Sequence, residues 1–278
     1  MLLVFSLLVD LVLGEFPSII HPVIYMGFLG KRIEKMKNFR FFWGMFSLLL
    51  ELFFWFFVCR LTMKVSEFFG IYFLSSTFSI KALYRHVERC KTDDEKVLKR
   101  HVSFIVSRDV SMLNKNQLYS AALESLSENI SDSIIAPLFY YLLFGVCGAL
   151  IYRVVNTYDA LFGYRTKRYE WFGKFAARCD DILNFIPARL TAILIVPFNF
   201  KSILYLKKYR KIKINAMYPM AAFAGVLNLG FEKVGTYKLE GKKVEREDID
   251  RGLKLYKKVV FVWIILIMVM EVLKKKIY

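Results

Sequence analysis

The sequence predicts an all-α fold: a polytopic α-helical integral membrane protein with large polar helical loops. Apolar residues make up 56% of the 278 residues, above the roughly 45–50% of soluble domains. Mean hydropathy is +0.40, and phenylalanine alone occurs 27 times. A soluble chain of this length has too little interior for that much large apolar surface. Strand signals are weak throughout, so helices are expected to carry the fold.

The net charge of the chain limits which classes of binding partner fit it. The chain has 41 Lys and Arg against 24 Asp and Glu, a net charge of +17. Nucleic acid, anionic lipid or an anionic substrate could each match this charge. The basic residues fall in clusters between apolar segments, as the positive-inside rule produces, and not on one face of a soluble domain. A lipid bilayer is therefore expected as a partner, nucleic acid is not, and an anionic substrate stays open.

Six apolar segments are predicted to build one membrane domain over residues 1–278. They cover about 2–29, 41–59, 65–80, 134–152, 182–200 and 259–273. The segment 41–59 is the clearest, because 19 helical residues rise about 28 Å, close to the thickness of a bilayer core. Glu51 lies in its middle, where a carboxylate is either functional or paired with a neighbouring helix.

The stretch 81–133 is polar, carries both charges and is predicted to form a helical loop. Thr92 followed by Glu95 fits a capping box that opens a helix. Further along, Glu124, Glu128 and Asp132 are spaced i, i+4 and i+8, which on an α-helix places them on one face within about 80°. Three carboxylates in a row repel one another, so a cation is expected there, and Mg²⁺ prefers oxygen ligands. A solvated acidic face, or ion pairs to Lys and Arg, is an equal alternative.

Two further polar blocks adjoin apolar segments. The first contains Arg153, Asn156, Asp159 and Arg165. Arginine forks suit phosphate and carboxylate oxygens, although Tyr and Arg also anchor membrane helices at the interface. Asn156 and Asp159, one turn apart, could hold a polar ligand or a metal.

The second block contains Arg178, Asp180, Asp181, Asn184 and Arg189, and leads into an apolar segment. Burying such groups costs several kcal/mol unless they are paired, so this block is interpreted as functional. His21, beside Pro22, is either an acid–base group or structural. The chain has no P-loop, Rossmann fingerprint or nucleophile elbow.

Taken together, these blocks resemble the adenosylcobinamide-phosphate synthase family (CobD/CbiB) of cobalamin, or vitamin B12, biosynthesis. The resemblance is carried by residues 10–27, 122–145 and 152–194, and more loosely by 220–230 and the region of Asp248. The family usually shows a Ser-Pro-Asn turn before its Ala-rich stretch, and here only Asn215 matches. The region 230–240, often Gly-rich in the family, reads GFEKVGTYKLE.

The resemblance implies a multi-pass protein of a prokaryotic cell membrane. Its expected reaction joins a propionate of adenosylcobyric acid to aminopropanol or its O-phosphate, driven by ATP with Mg²⁺. Other membrane enzymes of cobalamin assembly are expected as partners. There are two alternatives. One is an intramembrane prenyltransferase-like enzyme that uses Mg²⁺, and the other is a corrinoid-binding subunit without catalytic activity.

Under this hypothesis, residue type suggests the roles. The catalytic candidates are Glu124, Glu128, Asp180, Asp181, Arg178 and Arg189, and the metal candidates are Glu124, Glu128 and Asp132. The substrate-binding candidates are His21, Asn129, Arg153, Asn156, Asp159, Arg165 and Asn184. The segment 134–152, interrupted by Pro137, Gly145 and Gly148, is predicted to re-enter or lie in the interface, so that the polar blocks before and after it share one face.

Overall fold

The computed structural model of the protein describes residues 1–277, and the regular secondary structure of these residues is helical apart from one small hairpin. This confirms the predicted all-α class. The helices are α1 Leu2–Leu13, α2 Pro22–Tyr25, α3 Phe28–Ile33, α4 Arg40–Val65, α5 Glu67–Thr77, α6 Ile80–Glu88, α7 Glu95–Ser103, α8 Lys115–Ile130, α9 Ala136–Phe162, α10 Lys174–Leu183, α11 Phe185–Ile195, α12 Ser202–Tyr209, α13 Met217–Leu227 and α14 Arg246–Ile277. A π-helical turn covers Ser131–Ile135, 3₁₀ turns cover Ser18–Ile20 and Val196–Phe198, and the hairpin consists of β1 Glu232–Lys233 and β2 Tyr237–Lys238.

The chain divides into two compact units, each assembled from separated stretches of sequence. The first unit contains Met1–Ser79, Ala136–Asn184 and the end of α14 from Met270. The second unit contains Ile80–Ile135 and Phe185–Val269. That residues 1–278 form a single membrane domain stays a prediction.

Membrane character rests on long apolar helices. Within the described residues, α4 and the helical run Lys115–Phe162 are long and apolar enough to cross a bilayer. A third span results if α10 and the following Phe185–Phe198 are counted as one broken helix. The predicted segment 41–59 lies inside α4, and 259–273 lies inside α14. Gly145 breaks α9 with φ 68° and ψ −161°, but re-entry of this segment stays a prediction.

In the first unit, the carboxylate of Glu51 organises the start of α3. Its Oε2 accepts a hydrogen bond from the main-chain N–H of Gly27 at 2.9 Å, and its Oε1 accepts one from Leu29 at 2.8 Å. Gly27 has φ +86°, a conformation that favours glycine. Glu51 is 5% exposed, and unpaired N–H groups at a helix start are costly when buried. The sequence left open whether Glu51 is functional or paired with a neighbouring helix. The structure shows that its carboxylate is hydrogen-bonded to main-chain N–H groups at the start of α3.

In the second unit, α8 is the central helix. Its residues from Leu118 to Ser127 are buried on every side, and α13 and α7 pack against it. The predicted helix after residue 92 is confirmed as α7, but the predicted cap is wrong. Asp94, not Thr92, caps α7, because its Oδ1 accepts from the main-chain N–H groups of Lys96 at 2.8 Å and Val97 at 3.1 Å. Thr92 instead accepts from the N–H of Asp94.

Replacing Glu51 with Ala is expected to lower the thermal unfolding temperature of the purified protein. The change leaves two N–H groups without their acceptor, and each such group costs about 1–3 kcal/mol when buried. Unfolding would be followed by heating the detergent-solubilised protein. Glu15→Ala, which removes an exposed carboxylate from the same unit, is the control. Equal stability of the two variants would contradict the capping role.

Candidate functional site

The predicted site residues belong to both units, and each unit is described by itself. In the second unit, a cavity of about 140 Å³, here called the Glu124 cavity, lies beside α8. Its walls come from α8, the loop before α8, the segment before α13, and the hairpin. The lining residues are Ile105, Val106, Ser107, Arg108, Ala121, Glu124, Ser125, Glu128, Asn129, Lys213, Lys233 and Tyr237.

Glu124 is the most buried charged group of this cavity, at 4% exposed. Its Oε1 accepts from Ser120 Oγ at 2.8 Å and pairs with Arg108 at 3.2 Å. Its Oε2 accepts from the hydroxyl of Tyr237 at 2.6 Å. Burying a carboxylate is costly without such partners. Three separate parts of the chain therefore meet at one side chain.

The hairpin reaches the cavity through alternate residues. Lys233 and Tyr237 are register partners, and both line the Glu124 cavity. Glu232 and Lys238 are the other pair, and both line a second cavity of about 300 Å³. Successive side chains of a strand point to opposite faces, which explains this division. The main-chain N–H of Glu232 donates to Ser120 Oγ at 3.0 Å and so fixes the hairpin to α8.

Three cations surround the cavity. Burial, and then the charges of Lys213 and Arg108, lower the pKa of Lys233 below its ordinary value. Burial, and then the charge of Glu124, raise the pKa of Tyr237, so this hydroxyl stays protonated and donates. Like charges held together in a partly buried site repel one another. An anion bound among Arg108, Lys213 and Lys233 would relieve that repulsion.

The other members of the acidic row differ from Glu124. Glu128 is half-buried and lines the cavity, and its carboxylate makes no hydrogen bond or ion pair with the residues that the structure describes. Asn129 donates to the carbonyl of Ser125 at 2.9 Å and accepts from Ser133 Oγ at 3.0 Å. Asp132 lies in the π-helical turn, where the α-helical spacing that defined the row no longer holds.

A metal centre at this row stays a prediction. The oxygens of Glu124 accept from Ser120, Arg108 and Tyr237, so protein donors already engage them. Over residues 1–277, no group of three His, Cys, Asp or Glu side chains is arranged to hold a metal ion.

In the first unit, α9 and α10 share a chain of hydrogen bonds, here called the Asp180 network. Arg153 donates to Asn156 at 3.1 Å, and Asn156 donates to Asp180 Oδ1 at 3.2 Å. Asn184 donates to Asp180 Oδ2 at 2.9 Å and accepts from the hydroxyl of Tyr152 at 2.9 Å. Four of the predicted site residues therefore meet in one network.

Asp181 points away from this network, into a cavity of about 310 Å³ here called the Arg165 cavity. Its carboxylate pairs with Arg178 at 3.2 Å. The cavity is lined by Gly163, Tyr164, Arg165, Tyr169, Glu170, Gly173, Lys174, Ala177, Arg178 and Asp181. Three cations against two carboxylates give this cavity a net positive lining, as an anionic ligand requires.

The remaining candidates have local partners. His21 Nδ1 accepts from the N–H of Val23 at 3.3 Å and caps α2. The main-chain carbonyl of Asp159 accepts from the N–H of Gly163 at 2.7 Å.

Arg189 belongs to the second unit. It donates to the carbonyl of Phe185 at 2.6 Å and to Asn215 at 3.2 Å. Its guanidinium also lies 3.4 Å from the ring centre of Phe185 and 4.2 Å from that of Tyr218. Such a stacked and hydrogen-bonded arginine holds its place within the unit.

The sequence reasoning missed Ser120, Arg108, Lys213, Lys233 and Tyr237. None of them belongs to a local sequence motif that points to a site. The one available signal was for Ser120, which lies one helical turn before Glu124 on the same face. The others could be found only after the fold had brought them to the cavity.

Comparison with known proteins identifies the relationship. The CobD/Cbib protein family matches residues 3–259. The chain belongs to this family. A Pyrococcus abyssi protein named "Probable cobalamin biosynthesis protein CobD" is 46% identical, over 98% of this chain and 97% of its own length. Proteins of the same name from Thermococcus kodakarensis and Methanocaldococcus jannaschii are 44% and 37% identical, covering 94% and 96% of this chain and 92% and 96% of their own.

No solved structure matches the chain. The resemblance to the CobD/CbiB family is confirmed over nearly its whole length, including residues 230–240, where the sequence departs from the usual pattern. The hairpin lies within residues 230–240, and it supplies Lys233 and Tyr237 to the Glu124 cavity.

Replacing Tyr237 with Phe is expected to destabilise the protein by about 1–3 kcal/mol, because a hydrogen bond to a buried charged group is lost. Thermal unfolding in detergent would measure the change. Tyr218→Phe is the control, since the Tyr218 hydroxyl makes no hydrogen bond within the described residues and its ring remains beside Arg189. A Tyr237→Phe protein as stable as this control would show that Glu124 does not depend on the hydroxyl.

Proposed function

We propose that this protein acts in cobalamin biosynthesis as an ATP-dependent amide-forming ligase. It would join a propionate of adenosylcobyric acid to aminopropanol or its O-phosphate, giving adenosylcobinamide or its phosphate. Family membership and the names of the relatives support the pathway. The long apolar helices support a multi-pass location in a prokaryotic cell membrane.

The observation that carries the proposal is the pairing of opposite charges in the Glu124 cavity. Lys213, Lys233 and Arg108 offer cations, and Glu128 offers a carboxylate that makes no hydrogen bond or ion pair within the described chain. An amino-alcohol phosphate carries an ammonium group and a phosphate a few atoms apart. The cavity of about 140 Å³ suits that small ligand and is far too small for a corrin ring.

The chemistry assigns a role to Glu128. A carboxylate is a poor acyl donor, so the terminal phosphoryl group of ATP passes to the propionate oxygen, giving an acyl phosphate and ADP. The amine nitrogen then forms the amide bond as the carbonyl–oxygen bond to phosphate breaks and phosphate leaves. The ammonium must lose one proton before attack and a second as the amide forms. Glu128 is proposed to accept the first, while Glu124 stays in place as a positioning residue.

The Arg165 cavity is proposed to hold the phosphates of ATP. Arg165, Lys174 and Arg178 line it, and arginine forks match phosphate oxygens. The adjacent Asp180 network would fix the orientation of α10 relative to α9 within the same unit. Mg²⁺, when bound with ATP, would neutralise part of the phosphate charge.

Complementation tests the proposal. The chain would be expressed in a prokaryote that lacks its own cobinamide-forming synthase, cobyric acid would be supplied, and corrinoids would be analysed by mass spectrometry. Conversion to cobinamide or its phosphate is expected. Corrinoid binding without conversion, by protein shown to be folded in the membrane, would favour a non-catalytic subunit. Activity on prenyl diphosphates would favour the prenyltransferase alternative.

Replacing Glu128 with Gln is expected to lower kcat for amide formation by about 10²–10⁴-fold, the usual contribution of a positioned base. Steady-state assays on purified protein would measure it, with Glu128→Asp retaining part of the rate. Glu247→Gln, an exposed change at the start of α14, is the control. A Glu128→Gln enzyme with normal kcat would remove this residue from the chemistry.

The pH dependence of KM for the phosphorylated amine should reveal Lys233. Its pKa is lowered, so its charge is lost at a lower pH than in an ordinary lysine. KM is therefore expected to rise as pH increases through that lowered pKa. In Lys233→Arg this rise should move to higher pH, because arginine stays protonated. Lys238→Arg, on the opposite face of the hairpin, is the control, and an identical shift in both would contradict the assignment.

A further inference from the structure

The 50 residues 182–231 contain no Asp or Glu, and six of the 13 residues from 201 to 213 are Lys or Arg. The proposed reaction uses only Lys213 of these six. Such a one-signed stretch has no internal charge balance, so its cations need anionic partners from outside the stretch.

Helix α12, within this stretch, is fixed along one side. Ser202 is fully buried, and Tyr209 is 6% exposed. Gly225 of α13 lies so close that a Cβ there would come within 2.7 Å of Ser202 Cα. The hydroxyl of Tyr209 accepts from the main-chain N–H of Glu240 at 3.0 Å. This side of α12 is therefore packed within the second unit.

The opposite side of α12 is apolar and basic. Ile203 and Leu204 are 38% and 67% exposed. Lys207 lies four residues, or one helical turn, after Ile203, and Lys208 lies four residues after Leu204. Exposed apolar residues also flank the helix, with Phe200 at 68% and Ile212 at 43%. Apolar side chains beside lysines on one helix face are typical of helices that lie in a membrane interface.

Three of the cations have no competing partner. Lys208 pairs with Glu240 at 2.7 Å. Lys207, Arg210 and Lys211 are exposed and make no ion pair within residues 1–277. We define the α12 surface as Phe200, Leu204, Lys207, Arg210, Lys211 and Ile212.

The surroundings of this surface favour a lipid over a nucleic acid. It begins two residues after the apolar helical stretch Phe185–Phe198, one half of a candidate span. The exposed Phe200 and Leu204 would gain nothing from a phosphate backbone in water, but they can enter the acyl boundary of a bilayer. We propose that the α12 surface binds the headgroups of anionic membrane lipids, with Lys207, Arg210 and Lys211 contacting phosphate.

The test is lipid binding to the full-length protein in detergent, titrated by native mass spectrometry. Phosphatidylglycerol and phosphatidylcholine with identical acyl chains serve as anionic and zwitterionic probes. Wild type should prefer phosphatidylglycerol. Each basic residue near an anionic surface contributes roughly fivefold in affinity. The variant Lys207→Gln/Arg210→Gln/Lys211→Gln should therefore bind phosphatidylglycerol on the order of 100-fold more weakly and lose the preference.

Two variants make the result specific. Lys96→Gln/Arg100→Gln/Lys115→Gln removes the same charge from an exposed part of the second unit that also contains Asp93, Asp94 and Glu95, and should keep wild-type binding. Leu204→Gln leaves the charge unchanged and should weaken binding several-fold by removing an apolar contact. It also tests the proposal if the triple variant fails to fold.

Four outcomes would overturn the proposal. The first is equal affinity for the two lipids. The second is an equal loss in the control triple variant, which would make net charge the cause. The third is displacement of the lipid by millimolar inorganic phosphate, which would assign the surface to a free anion. The fourth is tight binding of a labelled RNA oligonucleotide that the α12 variant abolishes, which would assign the surface to nucleic acid.

Discussion

The pairing of the buried Glu124 carboxylate is the constraint on which the second unit depends. Burying a carboxylate to 4% exposure is costly unless hydrogen-bond donors surround it. Those donors come from α8 itself, from the loop before it and from the hairpin. One side chain therefore links three segments far apart in sequence. Glu128, one turn further along, lines the same cavity, and its carboxylate makes no hydrogen bond or ion pair with the described residues.

In the first unit, asparagine side chains supply the hydrogen-bond donors that the Asp180 carboxylate requires. Asp180 accepts from Asn156 on α9 and from Asn184 beyond α10, and Asn184 is itself bonded to Tyr152. Because amide groups can donate and accept at once, Asn156 links Arg153 to Asp180, and Asn184 links Tyr152 to Asp180. Its neighbour Asp181 points elsewhere and lines a cavity with a positive lining. Two adjacent aspartates thus take different roles through helix geometry, since consecutive residues of a helix point about 100° apart.

The hairpin shows how a small element can carry a large share of a site. It contributes only four strand residues, yet period-two alternation sends Lys233 and Tyr237 to one cavity and Glu232 and Lys238 to another. The same segment is where the sequence departs from the usual pattern of its family. The residues that differ from the usual family pattern therefore include residues that line the Glu124 cavity.

The sequence by itself determined the helical membrane class, the long span around 41–59 and the family, because apolar periodicity and extended motifs are local properties. It also singled out Asp180 and Asn184 as polar groups that would need partners at an apolar boundary. It could not decide which carboxylates were already paired, since Arg108 and Tyr237 lie 16 and 113 residues from Glu124. Nor did it foresee the π-helical turn that ends the acidic row before Asp132, or Asp94 in place of Thr92 as a cap. Only the tertiary structure settled these points, because the packing of segments that are distant in sequence decides which polar groups are buried and which ones form hydrogen bonds.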